Sequence, residues 1–210
     1  MAPALAEGAS ILDVGSGRQP ILAVTQRPPD STYVGLDVSE QELALAGDDA
    51  YDRVIIRSVT ERAPELVGSF DLAISLQVLE HVKPLDVALD NIRTYLRPGG
   101  RFVALLSGSF SAFGVVNRIL PNRVGVSIVS RVMHRPADNV FPAYYDRCYH
   151  SALERLGEPW SHWEVAPLYN GARYFSFLKP LHAAYIAYED WARRHEHRNL
   201  ATHYILDGRR

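Results

Sequence analysis

Cysteine is almost absent from the chain, with Cys148 as its single example in 210 residues. One cysteine cannot form an internal disulfide bond, and a zinc site built on several cysteines is excluded for the same reason. Apolar runs long enough to cross a membrane are also absent, and no charged-then-apolar leader is visible. We therefore expect neither a membrane span nor a secretory signal, and a cytoplasmic location.

Lysine is the second scarce residue, represented only by Lys83 and Lys179. Neither follows the glycine pattern of a phosphate-binding loop, which excludes a nucleoside triphosphatase of the Walker type. The formal net charge is −2, so the chain has no overall basic character that would favour nucleic acid. An apolar fraction of 47% supports one domain with a sizeable core.

Short apolar segments alternate with helical patterns through the first half of the chain. Strand patterns rich in Val, Ile and Leu lie near 10–14, 33–37, 53–57, 70–75 and 101–107, and helical patterns near 20–26, 39–46 and 85–96. This alternation predicts an α/β fold with a mostly parallel sheet and helices on both faces. Further helices are predicted near 112–120, 126–134, 143–156 and 181–195, and strands at 160–168 and 200–208 would complete a seven-stranded sheet.

A glycine turn follows the first predicted strand, in the stretch ILDVGSGRQP at 11–20. Gly15 and Gly17 permit a tight turn and a close approach of a ligand to the backbone. The next strand ends at Asp37, where a carboxylate can accept both hydroxyls of a ribose. Ser39 and Glu42 have the spacing of a capping box, so Asp37 is not needed as the helix cap. The pattern predicts an adenosine-type cofactor.

Four segments, taken in order, resemble the class I S-adenosylmethionine-dependent methyltransferases, specifically their ubiquinone-methyltransferase-like branch. They are ILDVGSG at 11–17, VGLDVSE at 34–40, FDLAISLQVLEHV at 70–82 and LRPGGRFVALLSG at 96–108. The resemblance implies a Rossmann-like seven-stranded sheet, S-adenosyl-L-methionine as cofactor, and methyl transfer as the reaction. We expect a single domain over 1–210, with a cofactor-binding half at 1–108 and an acceptor-binding lid and the last strands at 109–210.

The resemblance also implies which residues hold the cofactor. Around the glycine turn and the second strand, these residues are Asp13, Gly15, Ser16, Gly17, Asp37 and Val38. At the ends of the third and fourth strands, they are Ser58, Val59, Leu76 and Gln77. The chain departs from the family pattern at Gln19 and Pro20, where a third glycine is common. Pro20 also disfavours a nicotinamide oxidoreductase, whose fingerprint requires a small residue there.

Methyl transfer to a hydroxyl group requires a nearby base, because the oxygen must lose a proton. Histidine suits this role near neutral pH, and the candidates are His81, His134, His150 and His162. The pair Glu80-His81 has an alternative interpretation as a structural pair at a helix start. The sequence leaves open which histidine acts as the base and whether a metal ion takes part.

Acceptor recognition is expected chiefly over 108–180, because the first strand pattern begins near residue 10. Aromatic side chains beside amide groups are typical of sites that bind polyhydroxylated ligands. We therefore predict a small-molecule acceptor, with O-methylation of a saccharide hydroxyl as the first choice. The candidate acceptor-binding residues are Tyr144, Tyr145, Trp160, Tyr169 and Asn170, and core packing is the alternative for each.

Other interpretations stay open. N- or C-methylation of a quinol or another small metabolite would use the same cofactor site. A catalytically silent partner subunit would keep the methyltransferase fold, with or without the cofactor. The helical spacing of Tyr185, Tyr188 and Trp191 suits either a homodimer face or packing onto the sheet. His195 and His197 form a conceivable metal pair, although alternate residues of a helix point in different directions.

Overall fold

The computed structural model of the chain describes residues 6–111, 115 and 142–210. Its seven strands are β1 (Ser10–Val14), β2 (Thr32–Asp37), β3 (Arg53–Ile56), β4 (Phe70–Leu76), β5 (Leu96–Ser107), β6 (His162–Leu168) and β7 (His203–Arg209). They form one sheet in the order β3-β2-β1-β4-β5-β7-β6. The first five strands pair in parallel, and β7 runs antiparallel to both of its neighbours. The predicted α/β class and mostly parallel sheet are confirmed.

The α-helices in the described parts of the chain are α1 (Glu40–Ala44), α2 (Leu85–Tyr95), α3 (His150–Leu156) and α4 (Lys179–Arg194). The predicted helix at 20–26 is wrong, because only the 3-10 turn Val24–Gln26 forms there. Arg27 precedes Pro28 and is extended, with φ −79° and ψ 145°, as a residue before proline prefers. The predicted helices at 112–120 and 126–134 lie outside the described residues.

The helix predicted at 143–156 is shorter than expected. Only its second half forms, as α3, because Tyr145 and Arg147 adopt left-handed backbone conformations with φ of 50° and 56°. Backbone N–H groups of Tyr144 and Tyr145 both donate to the carbonyl oxygen of Glu80 at 2.9 Å. These bonds hold the segment 142–145 beside Glu80, in the 3-10 turn that follows β4. The segment therefore does not form a helix.

The LRPGG segment at 96–100 ends α2 and starts β5, as predicted, but its shape is a bulge. Leu96 pairs with Phe70 and Arg101 pairs with Leu72, so 97–100 loop out opposite a single residue of β4. Gly99 has a φ of 79°, which favours glycine. The bulge lets β5 follow α2 without a separate turn.

Both faces of the sheet are covered, which explains why its strands read as nearly continuous apolar runs. One face carries buried residues such as Leu12, Val14, Phe102 and Leu106, and the other carries Ile11, Tyr33, Leu72 and Ile74. No helix in the described ranges is both long and apolar enough to cross a membrane.

The strand order reverses at β1, which has β2 on one side and β4 on the other. In open parallel sheets, ligands bind beyond the carboxyl ends of the strands at such a reversal, because the chain leaves in opposite directions and opens a crevice. The fold therefore places the ends of β1, β2 and β4 around one position. Gly15, Asp37 and Gln77 are at or next to these ends.

Candidate functional site

A cleft of about 870 Å³ lies beyond the carboxyl ends of β1, β2 and β4. It brings together eight of the residues predicted to hold a cofactor: Gly15, Gly17, Asp37, Val38, Ser58, Val59, Leu76 and Gln77. His81 and Tyr144 line the same cleft. The cleft thus joins the predicted cofactor residues to one predicted base and one predicted acceptor-binding residue.

The glycine turn needs glycine for two separate reasons. Gly15 and Gly17 have φ of 73° and 53°, in the left-handed region that other residues enter at a cost. At Gly15 space is also missing, because an added Cβ would lie 2.3 Å from Cγ2 of Val78. At Gly17 the nearest atom, Oδ2 of Asp37, is 3.9 Å away. The backbone at Gly15 therefore lies directly against the segment that follows β4.

We expect Gly15→Ala to lower the free energy of unfolding by about 2–3 kcal/mol, since a left-handed conformation costs about 1–2 kcal/mol and overpacking at least about 1 kcal/mol. Gly68→Ala is the matched control, because Gly68 has a φ of 65° and nothing within 4 Å of an added Cβ. Gly68→Ala should lower the free energy of unfolding only by the cost of the left-handed conformation. Urea unfolding measures both values, and equal losses would contradict the close packing against Val78.

Adding Val78→Ala to Gly15→Ala sharpens this comparison. The second change removes the two Cγ atoms that lie 2.3 and 2.4 Å from the added Cβ, so the double variant should recover part of the lost stability. The same Val78→Ala change in a Gly68→Ala background should give no recovery.

Asp37 is held by the backbone on both sides. Its Oδ2 accepts a hydrogen bond from Gly17 N–H at 2.9 Å, and its Oδ1 accepts one from Ser39 N–H at 2.8 Å. Each carboxylate oxygen can accept two hydrogen bonds, so each keeps acceptor capacity for a ligand hydroxyl. The carboxylate is therefore fixed in orientation at the cleft wall, as a ribose-binding group requires.

Ser39 caps α1, because its hydroxyl accepts from Glu42 N–H at 3.2 Å. The other half of the predicted capping box does not form, since both carboxylate oxygens of Glu42 instead accept from Arg18, at 2.6 and 2.7 Å. Glu42 also lines the cleft. The pair links the glycine turn to α1, and no spacing rule in the sequence connects two residues that are 24 positions apart.

Asp13 and Ser16 lie beneath the turn, buried, and do not line the cleft. Oδ2 of Asp13 accepts from Ile21 N–H at 2.9 Å and from the Tyr33 hydroxyl at 2.5 Å. Burial raises the pKa of Asp13 to about 6. The Tyr51 hydroxyl donates to the carbonyl oxygens of Ser16 and Gly17. These residues support the turn from below.

The opposite wall of the cleft is polar without being acidic. Ser58 and Thr60 share a hydroxyl hydrogen bond of 2.8 Å, and Arg57 lies beside them in the lining. Asn91 donates to the carbonyl oxygen of Val59 at 2.9 Å and fixes the backbone there. This wall of the cleft therefore offers hydroxyl and backbone groups to a ligand.

Gln77 terminates β4 in a left-handed conformation, with a φ of 56°. A non-glycine residue persists there only when the surrounding structure holds it. Gln77 N–H donates to the carbonyl of Leu105 at 2.7 Å, and its Oε1 accepts from the Ser107 hydroxyl at 2.9 Å. The floor of the cleft is thus hydrogen-bonded to the end of β5.

His81 and Glu80 play different roles. Glu80 is buried, which raises its pKa, and its Oε1 accepts from Ser107 N–H at 3.2 Å. His81 lines the cleft, and its Nδ1 lies 3.2 Å from the carbonyl oxygen of Pro142. A carbonyl only accepts, so Nδ1 carries the proton in this bond and Nε2 of the neutral ring keeps its lone pair. That is the state a general base needs.

Two of the other candidate histidines, His150 and His162, do not line the cleft. His150 is buried at the start of α3, beside Glu154 at 3.3 Å and Tyr204. His162 begins β6 and pairs with Arg209, which pairs with Arg101 at the opposite end of the sheet from the cleft. His134 lies outside the described residues.

The predicted acceptor-binding residues do not share one surface. Tyr144 is exposed and lines the cleft. Trp160 and Tyr145 are buried in the core, where Trp160 stacks on Phe102 at 5.6 Å, and Tyr169 packs against that core. Asn170 contacts His203, with its Oδ1 2.6 Å from Nδ1 of the ring. Core packing is therefore the better interpretation of Trp160, Tyr145 and Tyr169.

No cluster of three or more His, Cys, Asp or Glu side chains suited to a metal ion occurs within the described ranges. The rings of His195 and His197 lie 6.1 Å apart, and both contact Trp191. Aromatic packing at the end of α4 accounts for this pair.

Comparisons with known proteins agree with this geometry. Residues 12–104 match a family model described as a methyltransferase domain. A ubiquinone biosynthesis O-methyltransferase of Agrobacterium fabrum is 32% identical over 111 residues, which cover 50% of this chain and 44% of the relative. A relative of the same name from Brucella melitensis is 27% identical over 54% of this chain and 48% of its own length. The chain thus spans less than half the length of these relatives.

Solved structures share the whole fold. A phosphoethanolamine N-methyltransferase of Haemonchus contortus in complex with S-adenosyl-L-methionine has a TM-score of 0.60 at 15% identity, covering 100% of this chain and 50% of its own. A geranyl diphosphate C-methyltransferase of Streptomyces coelicolor in complex with S-adenosyl-L-homocysteine has a TM-score of 0.58 at 14% identity, covering 99% and 72%. The domain match over 12–104, these relatives and the seven-stranded fold all support a class I S-adenosylmethionine-dependent methyltransferase.

Proposed function

We propose that this chain transfers a methyl group from S-adenosylmethionine to a hydroxyl oxygen of a small molecule. The observation that carries the proposal is a single cleft in which the oriented carboxylate of Asp37 and the ring of His81 are both part of the lining. The Asp37 carboxylate can accept hydrogen bonds from ribose hydroxyls, and the His81 ring can accept the proton of an acceptor hydroxyl. Their common cleft supports binding and chemistry at one place.

The residues of the cleft fit the cofactor. Asp37 keeps acceptor capacity for two ribose hydroxyls, and the left-handed glycines leave the backbone of the turn open to the amino-acid part. Ser58 and Val59 would lie against the adenine, with Leu76 and Gln77 beneath the methionine chain. When bound, S-adenosylmethionine supplies an activated methyl group on a sulfonium. The residues of the chain contribute orientation, exclusion of water and removal of the acceptor proton.

Oxygen is the proposed acceptor atom for two reasons. The relatives that match this chain by sequence are named O-methyltransferases, although their fold is shared by an N- and a C-methyltransferase. His81 offers a base, which transfer to a hydroxyl needs. The saccharide acceptor stays a prediction, as do the cytoplasmic location and the homodimer, and the panel below includes a saccharide arm.

The test is a panel of acceptors incubated with isotope-labelled S-adenosylmethionine and analysed by mass spectrometry. Sugars, small phenols and catechols form the hydroxyl arms, and primary amines form the nitrogen arm. We expect a methylated product in a hydroxyl arm that disappears with the Asp37→Ala variant. Methylation confined to the amine arm would overturn the proposal, as would failure of the wild-type protein to bind the cofactor.

A further inference from the structure

The charged side chains that line the cleft lie at different ends of it. Asp37 ends β2, and Glu42 lies on α1, the helix that follows β2. Lys83 lies on the other side, in the segment that follows β4. Adjacent strands are about 4.8 Å apart and β1 separates β2 from β4, so the two strand ends are about 10 Å apart. The described lining is therefore acidic at the end of β2 and basic beyond β4.

Lys83 differs from two other charged residues of the lining, which have ion-pair partners. Both carboxylate oxygens of Glu42 accept from Arg18, at 2.6 and 2.7 Å. The Arg57 guanidinium lies 3.5 Å from the carboxylate of Glu65. Lys83 forms no ion pair with any residue that the structure describes. Its ammonium therefore remains available to an anion in the cleft.

The carboxylates close to Lys83 in the chain are engaged elsewhere. Asp86 forms an ion pair with Arg147 at 2.7 Å. Asp146 lies 3.6 Å from the same guanidinium and accepts a backbone N–H at the start of α2 at 2.9 Å. Glu80 is buried, and burial raises its pKa, which favours the neutral form. These three carboxyl groups therefore leave the charge of Lys83 uncompensated.

Lys83 lies beside the proposed base. It follows His81 by two positions, so the Cα atoms of the two residues are at most about 7 Å apart. Val82 between them is extended, with φ −102° and ψ 135°. In extended backbone, the side chains on either side of a residue point to the same face, and both His81 and Lys83 line the cleft. A molecule whose hydroxyl meets the His81 ring therefore has a second group within reach of Lys83.

The rest of the lining around Lys83 is apolar or aromatic. It consists of Val82, Pro142 and Tyr144, and Tyr144 is 54% exposed. The carbonyl oxygen of Pro142 lies 3.2 Å from Nδ1 of His81, which places this segment beside the base. Apolar walls strengthen the field of a fixed charge in a cleft, because they exclude the water that would screen it. This end of the cleft thus offers apolar faces to a carbon skeleton and one cation to an anionic group.

We propose that the methyl acceptor carries an anionic group, a carboxylate or a phosphate, and that Lys83 binds this group. The proposal rests on the proposed function, because it assigns the acceptor side of the same cleft. Lys83 determines specificity and takes no part in the transfer itself. A hydroxyl at His81 and an anionic group at Lys83 hold the acceptor at two points, with Tyr144 against its skeleton.

The carboxylate of the cofactor is the competing anion. The amino-acid part of the cofactor is proposed to lie at the glycine turn, where Gly15 packs against Val78. Lys83 follows Val78 by five positions, and His81 lies between them. This order places Lys83 beyond the base, on the acceptor side. The experiment therefore measures the two anions separately.

The test compares matched anionic and neutral probes by calorimetry, with protein saturated with S-adenosylhomocysteine. The pairs are protocatechuate and its neutral amide, methyl α-glucuronoside and methyl α-glucopyranoside, and catechol monophosphate and catechol. We expect the anion of at least one pair to bind about 5- to 10-fold more tightly than its neutral partner, an effect between an exposed ion pair and a buried charge-assisted hydrogen bond. The difference should shrink as the salt concentration is raised.

Lys83→Gln removes the charge and should abolish this preference, whereas Lys83→Arg keeps the charge and should retain it. Lys179→Gln is the matched control, because Lys179 is the other lysine of the chain, is exposed at the start of α4 and does not line the cleft. It should keep the wild-type preference. All three variants should bind S-adenosylhomocysteine as tightly as the wild-type protein, and thermal melts check that they are folded.

Three outcomes overturn the proposal. In the first, no pair shows a preference for its anion, and in the second, Lys83→Gln keeps the preference as Lys179→Gln does. In the third, Lys83→Gln weakens binding of S-adenosylhomocysteine itself, which would assign Lys83 to the cofactor carboxylate. Cofactor binding without an anion preference refutes only the Lys83 contact, whereas failure of the wild-type protein to bind the cofactor refutes the proposed function as well.

Discussion

Asp37→Ala is expected to weaken binding of S-adenosylmethionine by about 100- to 10,000-fold, because two charge-assisted hydrogen bonds, each worth about 1.5–3 kcal/mol, are lost. The substitution also removes the acceptors of Gly17 N–H and Ser39 N–H, so the turn loses the group that orients it. Isothermal titration with S-adenosylhomocysteine measures the loss. A thermal melt of each protein checks that the variant is folded.

Asp48→Ala is the matched control for this prediction. Asp48 is exposed in the loop after α1 and its removal changes the net charge by the same amount. Its affinity for the cofactor should equal that of the wild-type protein. If the two variants bind equally well, Asp37 does not hold the ribose and the placement of the cofactor in this cleft is wrong.

His81→Gln is expected to lower kcat about 100- to 10,000-fold for the acceptor that the panel identifies, which is the range for loss of a general base. Glutamine retains an N–H group that can donate to the Pro142 carbonyl, so the fold of the turn is kept while the basic nitrogen is lost. Affinity for the cofactor should stay unchanged.

His182→Gln provides the comparison for His81, because it removes a histidine on α4 that does not line the cleft. It should leave kcat unchanged. If His81→Gln retains the wild-type kcat, the base lies elsewhere. His81 would then be a structural residue that joins the turn to 142–145.

The sequence predicted the part of the site that depends on local patterns. Gly15, Gly17 and Asp37 lie where strand ends and turn chemistry place them, and a parallel sheet brings such ends together automatically. Pro20 was compatible with a helix start, but Ala23 is extended, and only the 3-10 turn Val24–Gln26 forms before the extended Arg27.

Contacts between distant segments were beyond the reach of the sequence. Trp160 is an aromatic residue of the kind that stacks on ligands. It lies just before β6, however, and stacks on Phe102 of β5. His203 lies within a strand pattern, and only the pairing of β7 with β5 brings it near Ser107. The sequence pattern of a strand does not show whether a histidine packs in the core or lines a binding site. For Asp13, the sequence showed a carboxylate beside the turn but not the Tyr33 hydroxyl that donates a hydrogen bond to it.

The pairing of β5 with β7 also determines the order in which the molecule can be assembled. Arg101 and Asp207, which form an ion pair across these strands, are separated by 106 positions. Domains are built from the amino terminus during synthesis, so β1 to β5 and the cleft ends of β1, β2 and β4 can associate before β7 is made. Until β7 arrives, the outer edge of β5 is an unpaired strand edge. Such an edge is the part of the unfinished sheet that is most open to pairing with another chain.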